Sequence, residues 1–235
     1  MGHLINELRW PEVAAALDAK TTAVFPVGAC AKAHGPHLPM NTDQLTADAL
    51  GQRLAETADV LVWPAIGYGH YPAFRAYAGS TSVPERAFES TLFSLIEDAN
   101  RHDAERVLLL NTGISTIRAC DAACSTHENA AALHVYRGPR YLDAVATLCE
   151  QPRGGHADEA ETSVMLHLYP ERVRMDLAPT WTREMKRGVW SPTDETSASY
   201  SPEGIYGDAT LATPEKGAQL VVAMLQDIAD ALAAI

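Results

Sequence analysis

The chain has 235 residues, 47% hydrophobic, 20% charged and 7% aromatic, which is enough apolar content for one compact α/β core and too much for a disordered chain. With 30 acidic against 18 basic side chains the formal charge is −12, and no cluster of Lys and Arg offsets it locally. That balance repels phosphate backbones and anionic bilayers, so nucleic-acid and membrane partners are not expected.

The N-terminus lacks the basic-then-apolar pattern of a secretory signal, and apolar runs such as Val107 to Leu110 are too short to cross a bilayer. A cytoplasmic protein is expected. Cys30, Cys120, Cys124 and Cys149 show no CxxC spacing and read as reduced packing thiols. No repeat or composition break divides the chain, so residues 1–235 are treated as one domain.

In chain order, Leu8, Val13 and Leu17 give a short helix within Ile5 to Ala19, and the β-branched and aromatic run Thr22 to Val27 gives a buried strand. Asp43 to Glu56 carries Leu45, Ala49, Leu50 and Leu54 on one helical face. The unit repeats, with a strand Val60 to Trp63, a loop Pro64 to Pro84, and a helix marked by Phe88, Leu92, Leu95 and Ile96, with Pro84 and Glu85 in its first turn. A third pass gives strand Arg106 to Leu110, loop Asn111 to Thr116, a helix to about Ala131, and a fourth strand Ala132 to Tyr136. Thr162 to Leu168 fits a helix, Gly188 to Asp208 is turn-rich, and Pro214 to Ile235 is a helix with Thr213 as N-cap. Such alternation predicts a mainly parallel sheet covered by helices on both faces, with its ligand crevice in the loops at the carboxyl ends of the strands.

The densest polar loop follows the first long strand: His34, His37, Asn41, Thr42 and Asp43 among two prolines and a glycine. Imidazole nitrogens and carboxylate oxygens together suit Zn²⁺ or Mn²⁺; the alternative is a loop in which Asp43 merely caps the next helix. A second cluster holds His156, Asp158, Glu159 and Glu161 within six residues. On a helix Glu159 and Glu161 point about 200° apart and do not share a target, and an acidic helix start favoured by the macrodipole is the competing reading. The loop Tyr68 to Tyr77 offers aromatic walls and the cation Arg75, as a substrate pocket would.

Taken together, Phe25-Pro26-Val27-Gly28 through His34-Gly35-Pro36-His37-Leu38-Pro39 and Thr42-Asp43, then His156-Ala157 with Glu159 and Glu161-Thr162-Ser163, then Gly204, Gly207-Asp208 and Ala212 to Gly217, resemble the creatininase (creatinine amidohydrolase) family. The blocks stand in the family's order and span nearly the whole chain. The resemblance implies a three-layer α/β/α sandwich, assembly as a homo-oligomer, frequently a hexamer, and a dinuclear metal site that hydrolyses C–N bonds of cyclic or formyl amides. His34 then matches a histidine ligand, Asp43 the bridging aspartate and Glu161 the ligand of the Glu-Thr-Ser block. His156 matches an active-site histidine that orients substrate or shuttles a proton, and Glu159 joins it in the catalytic set.

Two departures strike one metal of that pair. Where members usually carry a glutamate two residues before the first histidine, this chain has Lys32, and where a histidine follows the third strand it has Gly113. The expectation is therefore a single divalent ion, zinc first with manganese or iron as alternatives, held by His34, Asp43 and Glu161, whose bound hydroxide attacks an amide or lactam carbonyl of a small molecule. Lys32 has three readings: a charge substitute for the absent cation that also holds an oxyanion, a Schiff-base nucleophile, or a solvent-facing loop residue. His37, Tyr68, His70, Arg75 and Trp181 are the expected substrate-pocket residues, with Trp190 beside them and His70 also considered as a replacement ligand. Two other outcomes stay open: dehydration, cyclisation or isomerisation assisted by Lys32, and a non-catalytic binding subunit.

Overall fold

A computed structural model describes residues 2–18, 21–183 and 200–234, without the side chain of residue 18. The elements are β1 (His3–Leu4), α1 (Trp10–Asp18), β2 (Thr22–Val27), α2 (Thr42–Thr57), β3 (Val60–Val62), α3 (Glu85–Arg101), β4 (Val107–Asn111), α4 (Ile117–Cys124), β5 (Ala130–His134), α5 (Pro139–Leu148), α6 (Glu159–Leu168), β6 (Thr180–Trp181), β7 (Gly207–Asp208) and α7 (Pro214–Ala234). Trp190, and the part of the turn-rich segment before residue 200, lie outside the described residues.

Five parallel strands form the central sheet in the order β1-β3-β2-β4-β5, and β6 and β7 make a separate antiparallel ribbon. Period-two alternation along the strands assigns the layers. Ala23, Phe25 and Val27 face Phe88, Leu92 and Ile96 of α3, whereas Val24 faces Leu50 of α2, Val164 of α6 and Leu220 of α7. Each of these fully buried large side chains contributes about 1.5–3 kcal/mol by leaving water. The result is the expected α/β architecture with helices on both faces of a parallel sheet. Because the chain runs from β2 to β3 on one side and later to β4 on the other, the loops after β2 and β4 part at the centre of the sheet and open the crevice there. Pro26 is tolerated in central β2 because its missing N–H points toward β3, which ends at Val62, while its carbonyl accepts from Ile66 beyond that end.

Several boundaries differ from the sequence expectation. Ile5 does not begin a helix: His3–Leu4 pairs with β3 as a short edge strand, Ile5–Glu7 is a single 3-10 turn, and α1 starts at Trp10 with Pro11 in its first turn, where a missing N–H costs nothing. Pro84 is the N-cap of α3 rather than part of its first turn. α4 stops at Cys124 instead of near Ala131, and β5 begins two residues before the expected Ala132. α5 was not anticipated, although Gly138-Pro139 followed by Tyr141, Leu142, Val145 and Leu148 is a helix-start and periodicity signal.

α7 is long and apolar enough, by length and composition, to cross a membrane, unlike the short runs noted above. Its Leu220, Val221, Met224 and Ile228 instead pack inside the core against α5 and α6. Gly217 permits the close approach to α6, since a Cβ there would collide with the carbonyl of Ser163. Further along α7, Asp227 is 3% exposed and accepts from the amides of Arg140 (3.1 Å) and Tyr141 (3.0 Å), capping the first turn of α5 from another helix. Asp227→Ala strands the buried Tyr141 amide and the partly buried Arg140 amide, so unfolding in urea is expected to show a loss of about 2 kcal/mol; an unchanged midpoint would show the cap to be dispensable.

Candidate metal centre

The loop after β2 folds back on the sheet so that the first turn of α2 lies against its end. Gly28 makes this contact possible, because any Cβ would meet the carbonyl of Asp43, and the Thr112 hydroxyl secures it through the carbonyls of Val27 (3.0 Å) and Asp43 (2.9 Å). Asp43 is not the cap of α2: Asn41 occupies that position, and the Asp43 side chain points inward. From the other side α6 delivers Glu161 in its first turn, with Asp158 capping the Glu161 amide at 3.0 Å. The segment before α6 turns through Ala157 at φ 47°, a left-handed conformation unusual for alanine, and this places His156 opposite His34.

Both imidazoles are held in one tautomer by carbonyls of neighbouring residues. His34 Nδ1 donates to the Lys32 carbonyl (2.9 Å) and His156 Nε2 donates to the Ala33 carbonyl (2.8 Å). A carbonyl can only accept, so the opposite nitrogens, His34 Nε2 and His156 Nδ1, carry the lone pairs when the rings are neutral. His34 Nε2 faces Asp43 Oδ1 at 3.0 Å and Glu161 Oε1 at 3.8 Å, and His156 Nδ1 faces Glu161 Oε2 at 3.8 Å. Lone pairs and carboxylate oxygens converging on one buried point repel unless a positive centre, a proton or a metal ion, lies between them. His34, His156 and Glu161 each offer a ligand atom within 4.8 Å of the others, the one such group among the described residues. Two imidazoles and one carboxylate form a donor set suited to a catalytic zinc with an open position.

Lys32 does not face solvent. It is 5% exposed, its Nζ lies 2.6 Å from Asp43 Oδ2 in a charge contact rather than a directed hydrogen bond, and it sits 5.1 Å from the Phe74 ring centre and 5.9 Å from that of Tyr71. Burial alone would raise the Asp43 pKa, but the charges of Lys32 and His34 outweigh it and hold the carboxyl well below the usual carboxylate range. Burial raises Glu161, and burial with His34 and Lys32 nearby lowers His156 well below the ordinary imidazole value.

The other nominated residues are placed differently. Glu159 is fully buried, but its oxygens accept from the amides of Glu150 (2.8 Å) and Gln151 (2.8 Å) and pair with Lys216 Nζ (2.6 Å), so it ties the α5–α6 connection to α7 and does not join the catalytic set. Glu159→Ala is therefore expected to cost about 2–4 kcal/mol in thermal unfolding while turnover per folded molecule stays near wild type; a selective loss of turnover would return it to the chemistry. His37 is buried and bonded to the Thr162 hydroxyl at 2.8 Å, with its pKa lowered to about 4 by burial and by His34, so it packs behind the centre rather than lining a pocket. His70 donates to the Val83 carbonyl (2.9 Å) and is not among the residues whose ligand atoms converge, so it does not act as a replacement ligand there. Tyr68 and Arg75 are exposed, and Trp181 packs with Leu38, Met165 and Ile205 beside Arg183. No described contact joins Tyr68, Arg75 or Trp181 to the His34 cluster, so the expected pocket is not assembled among the described residues.

The turn after β4 is closed on itself. Asn111 Oδ1 accepts from the Gly113 amide (3.0 Å) and the Thr116 hydroxyl (2.7 Å), while its Nδ2 donates to the Gly113 carbonyl (2.7 Å) and to His134 Nδ1 (2.9 Å). It offers no ligand toward Asp43, in keeping with the glycine at position 113.

A doubly wound parallel sheet with a buried two-histidine, one-carboxylate cluster at its central crevice defines an α/β protein with a candidate metal centre. The creatininase family model, described as creatinine amidohydrolase, matches residues 6–232, and the chain belongs to that family. It is 30% identical over 223 residues to the mycofactocin precursor peptide peptidase of Mycolicibacterium smegmatis, covering 88% of this chain and 82% of the relative. It is 28% identical to the creatinine amidohydrolase of Pseudomonas putida, with 97% and 95% of the two chains covered. A creatininase variant solved in a Zn-Zn form superposes with a TM-score of 0.82 at 26% identity, over 99% of this chain and 97% of that one.

Proposed function

We propose that this protein is a metal-dependent hydrolase that cleaves a C–N bond of a small amide-bearing molecule, a cyclic amide or formamide first and a peptide-derived amide next. One divalent ion per subunit, zinc first with manganese or iron as alternatives, would be held by His34, His156 and Glu161. This revises the expected ligand set: His156 takes the place given to Asp43, which faces Lys32 and His34 but is not among the mutually close ligand atoms of the cluster. The observation that carries the reading is the convergence of three buried ligand atoms whose imidazole tautomers are set by the Lys32 and Ala33 carbonyls. The relatives act, by their names, on creatinine and on a precursor peptide, which supports C–N bond hydrolysis and leaves both substrate sizes in the proposal.

When bound, such an ion supplies Lewis-acid polarisation of a carbonyl and brings the pKa of water to about 7. The chain's own residues do the rest. His34 and His156 are oriented by their carbonyl partners, and the amide of Ala157 holds Glu161 Oε2 at 2.5 Å, leaving Oε1 directed at His34. Lys32 keeps Asp43 ionised, and its ammonium would hold the oxygen of a polarised carbonyl. The second reading, non-hydrolytic chemistry in which Lys32 acts directly, is favoured by the burial of its ammonium against Phe74 and Tyr71.

Metal content of the purified protein, followed by turnover of cyclic amides, formamides and short peptide amides before and after chelation, tests the proposal. Stoichiometric metal, with turnover lost on chelation and restored by Zn²⁺, is expected. Turnover indifferent to chelation together with borohydride trapping of a carbonyl substrate on Lys32 would favour the second reading. Bound but unchanged ligand would mark a binding subunit. The proposal includes assembly as a homo-oligomer, supported by the exposed Leu142 of α5 and Val222 of α7 beside a cleft of about 520 Å³, and a cytoplasmic location, supported by four free cysteines.

A further inference from the structure

Resting on the one-ion reading above, we propose that the Lys32 ammonium is a resident cation of the site: it neutralises Asp43, excludes a second metal ion and sets the metal content at one. The argument begins with charge. Lys32 carries one positive charge, Asp43 and Glu161 one negative charge each, and the two imidazoles none when neutral, so the cluster is net negative by one. One divalent ion leaves it positive by one. A second would leave it positive by three among side chains that are all 10% exposed or less.

Geometry points the same way. The oxygen of Asp43 that faces away from His34 is the one a second ion would use, and Lys32 Nζ already stands 2.6 Å from it. The ammonium is enclosed by the Phe74 and Tyr71 rings, and the Phe74 ring also packs on His156 at 4.4 Å, so Lys32 has little room to swing away when a metal arrives. The nearby turn that follows β4 holds no carboxylate, imidazole or thiol, its Asn111, Gly113 and Thr116 groups bond among themselves and to His134, and the Thr112 hydroxyl is taken by the carbonyls of Val27 and Asp43. A second ion would therefore meet a like charge, one shared carboxylate oxygen and no further protein donor. The Zn-Zn creatininase variant to which this chain is similar shows that the scaffold can take two ions, and Lys32 is the residue that denies the second to this one.

Lys32→Glu reverses the charge beside Asp43 and supplies a carboxylate. Metal content by elemental analysis after equilibration with Mn²⁺ is expected to rise from one ion in the wild type to two in Lys32→Glu. The Mn²⁺ electron paramagnetic resonance signal is expected to change from an isolated-ion pattern to that of a coupled pair. Lys32→Gln, which removes the charge without adding a ligand and keeps the chain length, guards against a folding failure of the glutamate variant. It is expected to bind its first ion more tightly in competition with a chelator, because Asp43 becomes available. One ion in all three proteins with unchanged affinity would overturn the role of Lys32 and leave the hydrolase reading intact. Two ions in the wild type would overturn it as well. No ion in the wild type but one in Lys32→Glu would overturn the one-ion reading while upholding Lys32 as the resident cation, and no ion in any of the three would overturn both.

Discussion

His34→Ala is expected to abolish metal retention and to lower turnover by about 1,000-fold, equivalent to roughly 4 kcal/mol of transition-state stabilisation. The imidazole is fully buried, its tautomer is set by the Lys32 carbonyl, and its Nε2 is the point nearest both Asp43 and Glu161. Neither His37, bonded to Thr162, nor His70, bonded to Val83, belongs to the group of converging ligand atoms. The loss of affinity should exceed the roughly 10–100-fold that removing an outer partner of a metal ligand costs. Metal content after gel filtration and turnover on the best substrate measure it. Retention of both would place the centre elsewhere.

Asp43→Ala is expected to have the largest effect on stability, about 3–5 kcal/mol, because it leaves the Lys32 ammonium buried without a counter-charge. In a chain of this size that corresponds to a melting temperature lowered by about 6–20 °C. A double change to Lys32→Met with Asp43→Leu, which removes both charges and keeps apolar volume, should recover most of the loss. An Asp43→Ala melt equal to wild type would show that the pair adds nothing.

The pH dependence of the metal-free protein separates these groups. Asp43 is depressed in the fold, so its contribution is complete above its ordinary value of 3.8 and is lost as pH falls through its lower folded value. His156 and His37 are depressed from 6.5, His37 to about 4, so their contributions are complete above pH 6.5 and decline below it as the unfolded chain takes up protons first. Glu161 acts in the opposite sense: raised above 4.5 by burial, it favours the fold at low pH and loses that contribution as pH rises through its folded value, until a cation takes the place of the proton. Added metal should therefore stabilise most at neutral and higher pH.

Local patterns in the sequence sufficed for most of the architecture. Short apolar runs mark β2 to β4, and helical spacing marks α2, α3 and α7, because burial dictates the pattern of apolar residues whatever the tertiary context. They did not suffice for β1, whose two residues are strand only because β3 offers them a partner, nor for the end of α4, which no capping residue announces. At the site, the polar loop after the first long strand points to His34 and Asp43 by residue type, whereas Glu161, His156 and Lys32 gain their roles from the resemblance to the creatininase family and the departures from its pattern. Their division of labour was not legible. Glu159 and Glu161 are two residues apart and alike in chemistry, yet one turns toward the amides of Glu150 and Gln151 and the other toward His34, a difference set by the helical rotation between them and by what packs on each side.

By itself, then, the sequence determined an acidic parallel α/β chain, a family membership and a short set of polar residues from which the chemistry must come. The tertiary structure decided which of them meet. It brought His156 from the middle of the chain to within reach of His34, turned Glu159 into a strut, and buried Lys32 on Asp43. Such outcomes depend on which elements the fold packs together, whether the partners are 8 positions apart, as Glu159 and Gln151 are, or 123, as His156 and Ala33 are, and local periodicity does not encode them.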